Sequence, residues 1–151
     1  ALFRWAMYAG ARAGGVDRGT AEVLERFGAE LGVAFQATDD VLDLAGDPQR
    51  TGKALFTDLR EGKLTYPLIV SLERDPALAP LVADIVAAAV PDPAACLDAL
   101  RRIEATGSLE DARRLAHRHA ARAKAALLAL PASPAREALE TVADATVHRP
   151  V

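Results

Sequence analysis

Cysteine, methionine and tryptophan each occur once in 151 residues, and aromatic residues make up only 5%. The lone Cys96 has no internal disulfide partner. It sits in an apolar helical stretch, Ala94 to Leu97, where a buried inert thiol and a reducing, cytoplasmic compartment are the expectation. The shortage of aromatics, set against alanine at 34 positions, disfavours the Val, Ile and aromatic alternation of strands and favours close-packed helices. An excess of positive charge is also missing. Lys and Arg number 18 against 21 Asp and Glu, a net charge of -3, so there is no electrostatic footprint for a nucleic-acid backbone. No apolar run approaches the roughly 18 residues that would suggest a membrane span. The best candidate, Leu81 to Val90, is short and interrupted by Asp84, and no signal peptide is expected.

What is present suffices for a core: 51% hydrophobic residues, 26% charged, and a mean hydropathy of +0.09, in a chain of one domain's length. Proline and glycine divide it into helices. A first helix over residues 1 to 13 ends at Gly14-Gly15. Asp17 or Thr20 caps a long helix running to Gly46, stopped by Asp47-Pro48. From Pro48 to Tyr66 periodicity vanishes, predicting a loop with one helical turn near Asp58 to Glu61. Further helices are expected from Pro67 to about Arg74, from Pro76 or Pro80 to about Val90, from Pro93 to Ala105, from Ser108 to Leu130 with Ser108 as N-cap, and from Ser133 to about Val147. The expected architecture is an all-α bundle. The chain opens Ala-Leu-Phe-Arg-Trp-Ala-Met inside an apolar helical pattern with no capping signal, which predicts a longer parent protein.

The stretch Phe35-Gln36-Ala37-Thr38-Asp39-Asp40-Val41-Leu42-Asp43 carries the chemistry. On a helix Gln36, Asp39, Asp40 and Asp43 share a face about 100° wide, while Val33, Phe35, Val41, Leu42 and Leu44 lie away from it. Like charges so placed repel, and acids near a helix C-terminus oppose its dipole. Two readings follow: a solvated acidic face, or a cation site. Mg²⁺ suits the second, since it takes one or two carboxylates, keeps waters and completes its octahedron with substrate phosphates. Lys53 and Lys63 lie on the loop that leaves the acidic helix end, placed either to fold back over a metal-bound anion or to sit solvated.

In order, Phe35-Gln36, Asp39-Asp40, Leu42-Asp43, Gly46-Asp47, Gly52-Lys53, Asp58-Leu59, Gly62-Lys63 and Thr65-x-Pro67 resemble the second aspartate-rich region of the trans-isoprenyl diphosphate synthases, or polyprenyl synthetases. Leu2 to Gly15 resembles that family's preceding helix. The resemblance implies an all-α fold around a central cavity, in which an allylic diphosphate ionises with Mg²⁺ and isopentenyl diphosphate adds head-to-tail, in a homodimeric enzyme. It implies that Asp39 is a Mg²⁺ ligand with Asp40 and Asp43 as partners, directly or through water. Gln36 would steady the developing cation, and Lys53 and Lys63 would lie near the allylic diphosphate. The family's first aspartate-rich motif and its isopentenyl diphosphate segment are not found in residues 1–151, so the chain is expected to be the C-terminal half of a synthase and inactive alone. Two alternatives stand beside this reading: a non-catalytic partner subunit, and a squalene-synthase-like or terpene-cyclase enzyme.

Other residues invite plainer readings. His117 and His119 point apart on one helix and cannot share a metal, so both are expected in solvent. The run Arg113, Arg114, His117, Arg118, Arg122, Lys124 is expected to be a solvated face. Trp5 and Tyr8 are expected in the core or at a subunit contact. Phe56 and Tyr66 either cover the cavity or pack on the bundle.

Overall fold

The computed structural model of the chain describes residues 1–45 and 63–149, and among these seven α-helices and no strand occur. They are α1 (Leu2–Ala13), α2 (Arg18–Ala45), α3 (Tyr66–Arg74), α4 (Leu78–Ala87), α5 (Pro93–Ala105), α6 (Ser108–Leu127) and α7 (Pro134–Val147). The expected all-α class is what forms. The expected turn near Asp58 to Glu61 and the stop at Asp47-Pro48 lie outside the described residues.

Caps explain most starts. Asp17 precedes α2 and accepts from the Thr20 backbone N–H at 3.0 Å and from the Thr20 hydroxyl at 2.6 Å, so Thr20 partners the cap and Asp17 is the cap. Those hydrogen bonds hold the Asp17 carboxyl below its ordinary range. Asp92 accepts from Ala94 N–H at 3.1 Å and Ser133 from Arg136 N–H at 3.2 Å, each just before a proline at the helix start.

Two helices stop short of expectation. α4 ends at Ala87 rather than Val90 because Ala88 turns extended, and the residue before Pro91 disfavours helix. α6 ends at Leu127, its next three residues closing with tighter bonds such as Leu130 N–H to the Leu127 carbonyl at 2.9 Å ahead of Pro131. Ser108 is not a cap: it is the first helical residue of α6, and its buried hydroxyl lies 2.6 Å from that of Ser71.

The chain divides into two compact units, one of residues 1–38 and 114–149, the other of 39–113. In the first, Phe27 and Leu31 of α2 pack with Ala123 and Leu127 of α6 and Ala143 of α7, joined by Phe3 and Met7 of α1. Gly28 lets α1 and α2 approach this closely, since a Cβ there would stand 2.5 Å from the Phe3 carbonyl oxygen and 2.9 Å from Met7 Cγ. Phe3 also meets Phe35 at 5.1 Å between ring centroids.

In the second unit, Leu44, Leu68 of α3, Leu78, Val82 and Ile85 of α4, Ala99 and Ile103 of α5, and Leu109 form the core. A buried polar joint fixes α3 within it. The Ser71 hydroxyl donates to the Pro67 carbonyl at 2.7 Å and lies within 3.2 Å of the Thr106 hydroxyl. Arg74 donates to the Thr106 carbonyl at 2.9 Å and pairs with Asp111, while Arg102 pairs with Asp75 at 2.6 Å. Buried hydroxyls satisfied in this way add direction to an otherwise greasy contact.

Candidate diphosphate and cation site

α2 runs unbroken through Gln36, Asp39, Asp40 and Asp43, so the shared helical face holds. Gln36 is exposed and Asp39 half-buried, whereas Asp40 and Asp43 keep only 6% and 5% of their surface exposed. None of the four side chains is free of interactions. The two buried carboxylates are thus withdrawn from bulk water, and each has an interaction partner within the chain. Burying an ionised carboxylate is expensive unless it is paired, hydrogen-bonded or bound to a metal.

Among the described residues, no group of three or more His, Cys, Asp and Glu side chains is gathered to hold a metal ion by itself. The donor set nevertheless fits Mg²⁺ as one wall of a site, since that ion draws only one or two carboxylates from protein and leaves its other positions to water and phosphate. Asp39, the most accessible of the three acids, fits direct ligation, with Asp40 and Asp43 behind it.

Lys63 is exposed and not free of interactions, three residues before α3. Lys53 lies outside the described residues, as do Gly46, Asp47, Gly52, Asp58 and Phe56. A residue absent from the expected site is Thr65: it occupies the N-cap position of α3, is buried, and its hydroxyl has no hydrogen-bond partner among the described residues. The sequence signal for it was the threonine ahead of Pro67, an N-cap residue type before a helix-opening proline.

Several plain expectations are corrected. His119 is not solvated: its Nδ1 lies 2.6 Å from Glu30 Oε2, with 17% of its side chain exposed. His117 does stay exposed, meeting the His148 ring edge-on at 5.6 Å. Of the two places expected for Trp5 and Tyr8, the core is excluded, since Trp5 keeps 67% exposure and Tyr8 is exposed too. The basic run is partly paired, with Lys124 2.7 Å from Asp144 and Arg113 3.7 Å from Glu110. A groove of about 350 Å³ in the first unit, lined by Arg4, Glu22, Glu25, Arg26 and Ala29, includes none of the expected site residues. No described helix is long and apolar enough to cross a membrane.

A family profile described as Polyprenyl synthetase matches residues 1–103. The chain is 36% identical over 146 residues to the nonaprenyl diphosphate synthase of Mycobacterium tuberculosis, covering 93% of this chain and 43% of that one. It is 37% identical over 129 residues to the octaprenyl diphosphate synthase of Escherichia coli, covering 83% and 39%. A crystal structure of a polyprenyl synthase from Caulobacter crescentus, complexed with calcium and isoprenyl diphosphate, superposes with a TM-score of 0.88 at 39% identity, over 99% of this chain and 46% of that one. The chain thus spans less than half the length of each of these proteins.

Proposed function

Because the chain belongs to the polyprenyl synthetase family, we propose that it supplies the second aspartate-rich half of a prenyltransferase that joins isopentenyl diphosphate head-to-tail to an allylic diphosphate. The observation that carries this reading is the pair of buried carboxylates, Asp40 and Asp43, one and two turns beyond Gln36 on an unbroken helix. The polyprenyl diphosphate synthases it resembles over almost its whole length support the same reaction class.

In this reading a bound divalent cation, Mg²⁺, supplies charge neutralisation at the diphosphate leaving group. The chain's own residues do the rest. Asp39 would hold that cation, with Asp40 and Asp43 as its partners. The allylic C–O bond breaks with its electron pair leaving on the diphosphate. Lys63 and Lys53 donate to those oxygens and stabilise the leaving charge more in the transition state than before it. Gln36 turns its amide oxygen toward the positive charge developing on the allylic carbon. The isopentenyl alkene then attacks that carbon, forms the new C–C bond and loses a proton to the released diphosphate, the base the ionisation has just supplied. Alanine-rich helices keep water from the cation, which would otherwise be quenched as an alcohol.

The acceptor site and the first aspartate-rich motif are assigned to the further half that the full-length relatives carry, and the complete enzyme to a cytoplasmic homodimer. The 151-residue chain alone is therefore inactive and holds Mg²⁺-diphosphate weakly. Calorimetric titration with Mg²⁺ and inorganic diphosphate, beside a product assay with an allylic donor, tests this: weak metal-dependent binding and no product are expected. In the complete enzyme Asp39→Ala lowers incorporation of labelled isopentenyl diphosphate by about 100-fold or more with unchanged circular dichroism. Near-normal incorporation would overturn the assignment, as would prenyl transfer by the isolated chain.

A further inference from the structure

We infer that Arg149, more than a hundred residues from the aspartate motif in sequence, is a positioning residue for Gln36. The inference rests on the role proposed above for Gln36. Its guanidinium carbon lies 4.4 Å from the centroid of the Phe35 ring, and Phe35 immediately precedes Gln36 on α2. The same ring meets Phe3 of α1 at 5.1 Å with a 45° tilt. Phe35 is therefore held by an aromatic ring from α1 and by a cation from the segment after α7.

Two features make this contact a built one. Arg149 follows α7 by two residues, and the intervening His148 ties the chain down: its backbone N–H donates to the Asp144 carbonyl at 3.2 Å, and its Nδ1 lies 2.7 Å from that same oxygen. The His148 ring also rests edge-on against His117. Arg149 is thus delivered to Phe35 from a pinned residue. In addition, no ion pair or hydrogen bond competes for its guanidinium among the described residues, so the aromatic face is what it serves there.

Helix geometry carries the effect to the next residue. Consecutive side chains on α2 are separated by about 100° around the axis. Holding Phe35 from two directions fixes the rotation of that turn, and with it the direction in which Gln36 leaves the helix. An amide aimed at a developing cation must be held to within a fraction of an ångström to be useful. Arg149 supplies part of that restraint without touching substrate.

Nuclear magnetic resonance of the 151-residue chain tests this directly, reading the side-chain amide signals of Gln36 and the ring signals of Phe35. Arg149→Ala and Arg149→Met are expected to shift both sets and broaden the Gln36 amide, with the other core methyl signals of the first unit unmoved, while Arg149→Lys restores the wild-type positions. Unchanged Gln36 signals in Arg149→Ala would overturn the inference. So would failure of the lysine variant to restore them, or shifts spread through the whole first unit. The measurement needs no diphosphate chemistry. A complete enzyme that keeps full turnover with Gln36→Ala would therefore defeat the proposed role of Gln36 and leave the Arg149 coupling standing, whereas silent Gln36 signals would do the reverse.

Discussion

The two ends of α2 bury different things. Between Ala21 and Ala37 the buried side chains are Ala21, Phe27, Leu31, Ala34 and Ala37, with Gly28 where α1 crosses, all of them apolar. In the last turns Val41 and Leu44 alternate with the equally buried Asp40 and Asp43. One helix thus serves two purposes. Its first part stabilises by removing hydrocarbon from water, at about 25 cal/mol per Å². Its last part buries carboxylates that hold other interactions within the chain, at a desolvation cost that apolar side chains do not carry. On the function proposed above, that costlier burial is kept for binding rather than for folding.

That contrast predicts that the two ends fail differently, and the largest stability effect belongs to the apolar end. Phe27→Ala removes a fully buried ring from the first unit's core and should cost about 3–5 kcal/mol. Urea denaturation followed by circular dichroism measures it. A loss below about 1 kcal/mol would mean that this end of α2 is not what holds the first unit together.

A smaller loss is expected one residue on. Gly28→Ala places a methyl group 2.5 Å from the Phe3 carbonyl oxygen, a backbone atom that cannot swing aside. α1 must move away from α2, at about 1–3 kcal/mol. Weakened hydrogen-exchange protection centred on α1, with α3 to α5 unaffected, is the expected pattern.

At the acidic end the sign of the argument reverses. Asp40→Asn keeps the shape, removes one of three adjacent negative charges, and should leave stability within about 1 kcal/mol of wild type while removing Mg²⁺-dependent diphosphate binding in calorimetry. If Asp40→Asn instead unfolds the protein as Phe27→Ala does, the carboxylates belong to the fold and the contrast between the ends disappears.

What the sequence made legible was local. Gly14-Gly15, Asp92-Pro93 and Ser133-Pro134 are helix boundaries written in adjacent residues, and the structure places them there. The spacing of Gln36, Asp39, Asp40 and Asp43 was equally local and survives on the unbroken α2. The misreadings are long-range. Ser108 looked like a cap because its partner Ser71 lies 37 residues earlier in the chain, and His119 looked solvated because Glu30 is 89 residues away. Burial of Asp40 and Asp43, as opposed to their alignment, was not readable either, since it depends on what packs over the helix. Thr65 shows the same limit: the residue type announced a helix start, but only the fold leaves its hydroxyl buried and unpartnered among the described residues.

The smallest effect expected is a pH dependence confined to the start of α2. The Asp17 carboxylate accepts the Thr20 hydroxyl at 2.6 Å and the Thr20 N–H at 3.0 Å. These bonds favour the ionised form and lower its pKa from 3.8. A group whose folded pKa is depressed contributes stability that is present above its unfolded value and is lost as pH falls through the folded one. The first turn of α2 should therefore be fully protected at neutral pH and begin to fray below pH 3.8. Asp17→Asn keeps an N-cap acceptor without the titration, and should abolish the pH step while preserving the helix start. Amide exchange at Thr20 and Ala21, followed from pH 6 to pH 3, would read this out against the buried apolar positions Phe27 and Leu31 of the same helix. An identical step in the Asp17→Asn protein would show that the fraying comes from elsewhere on α2.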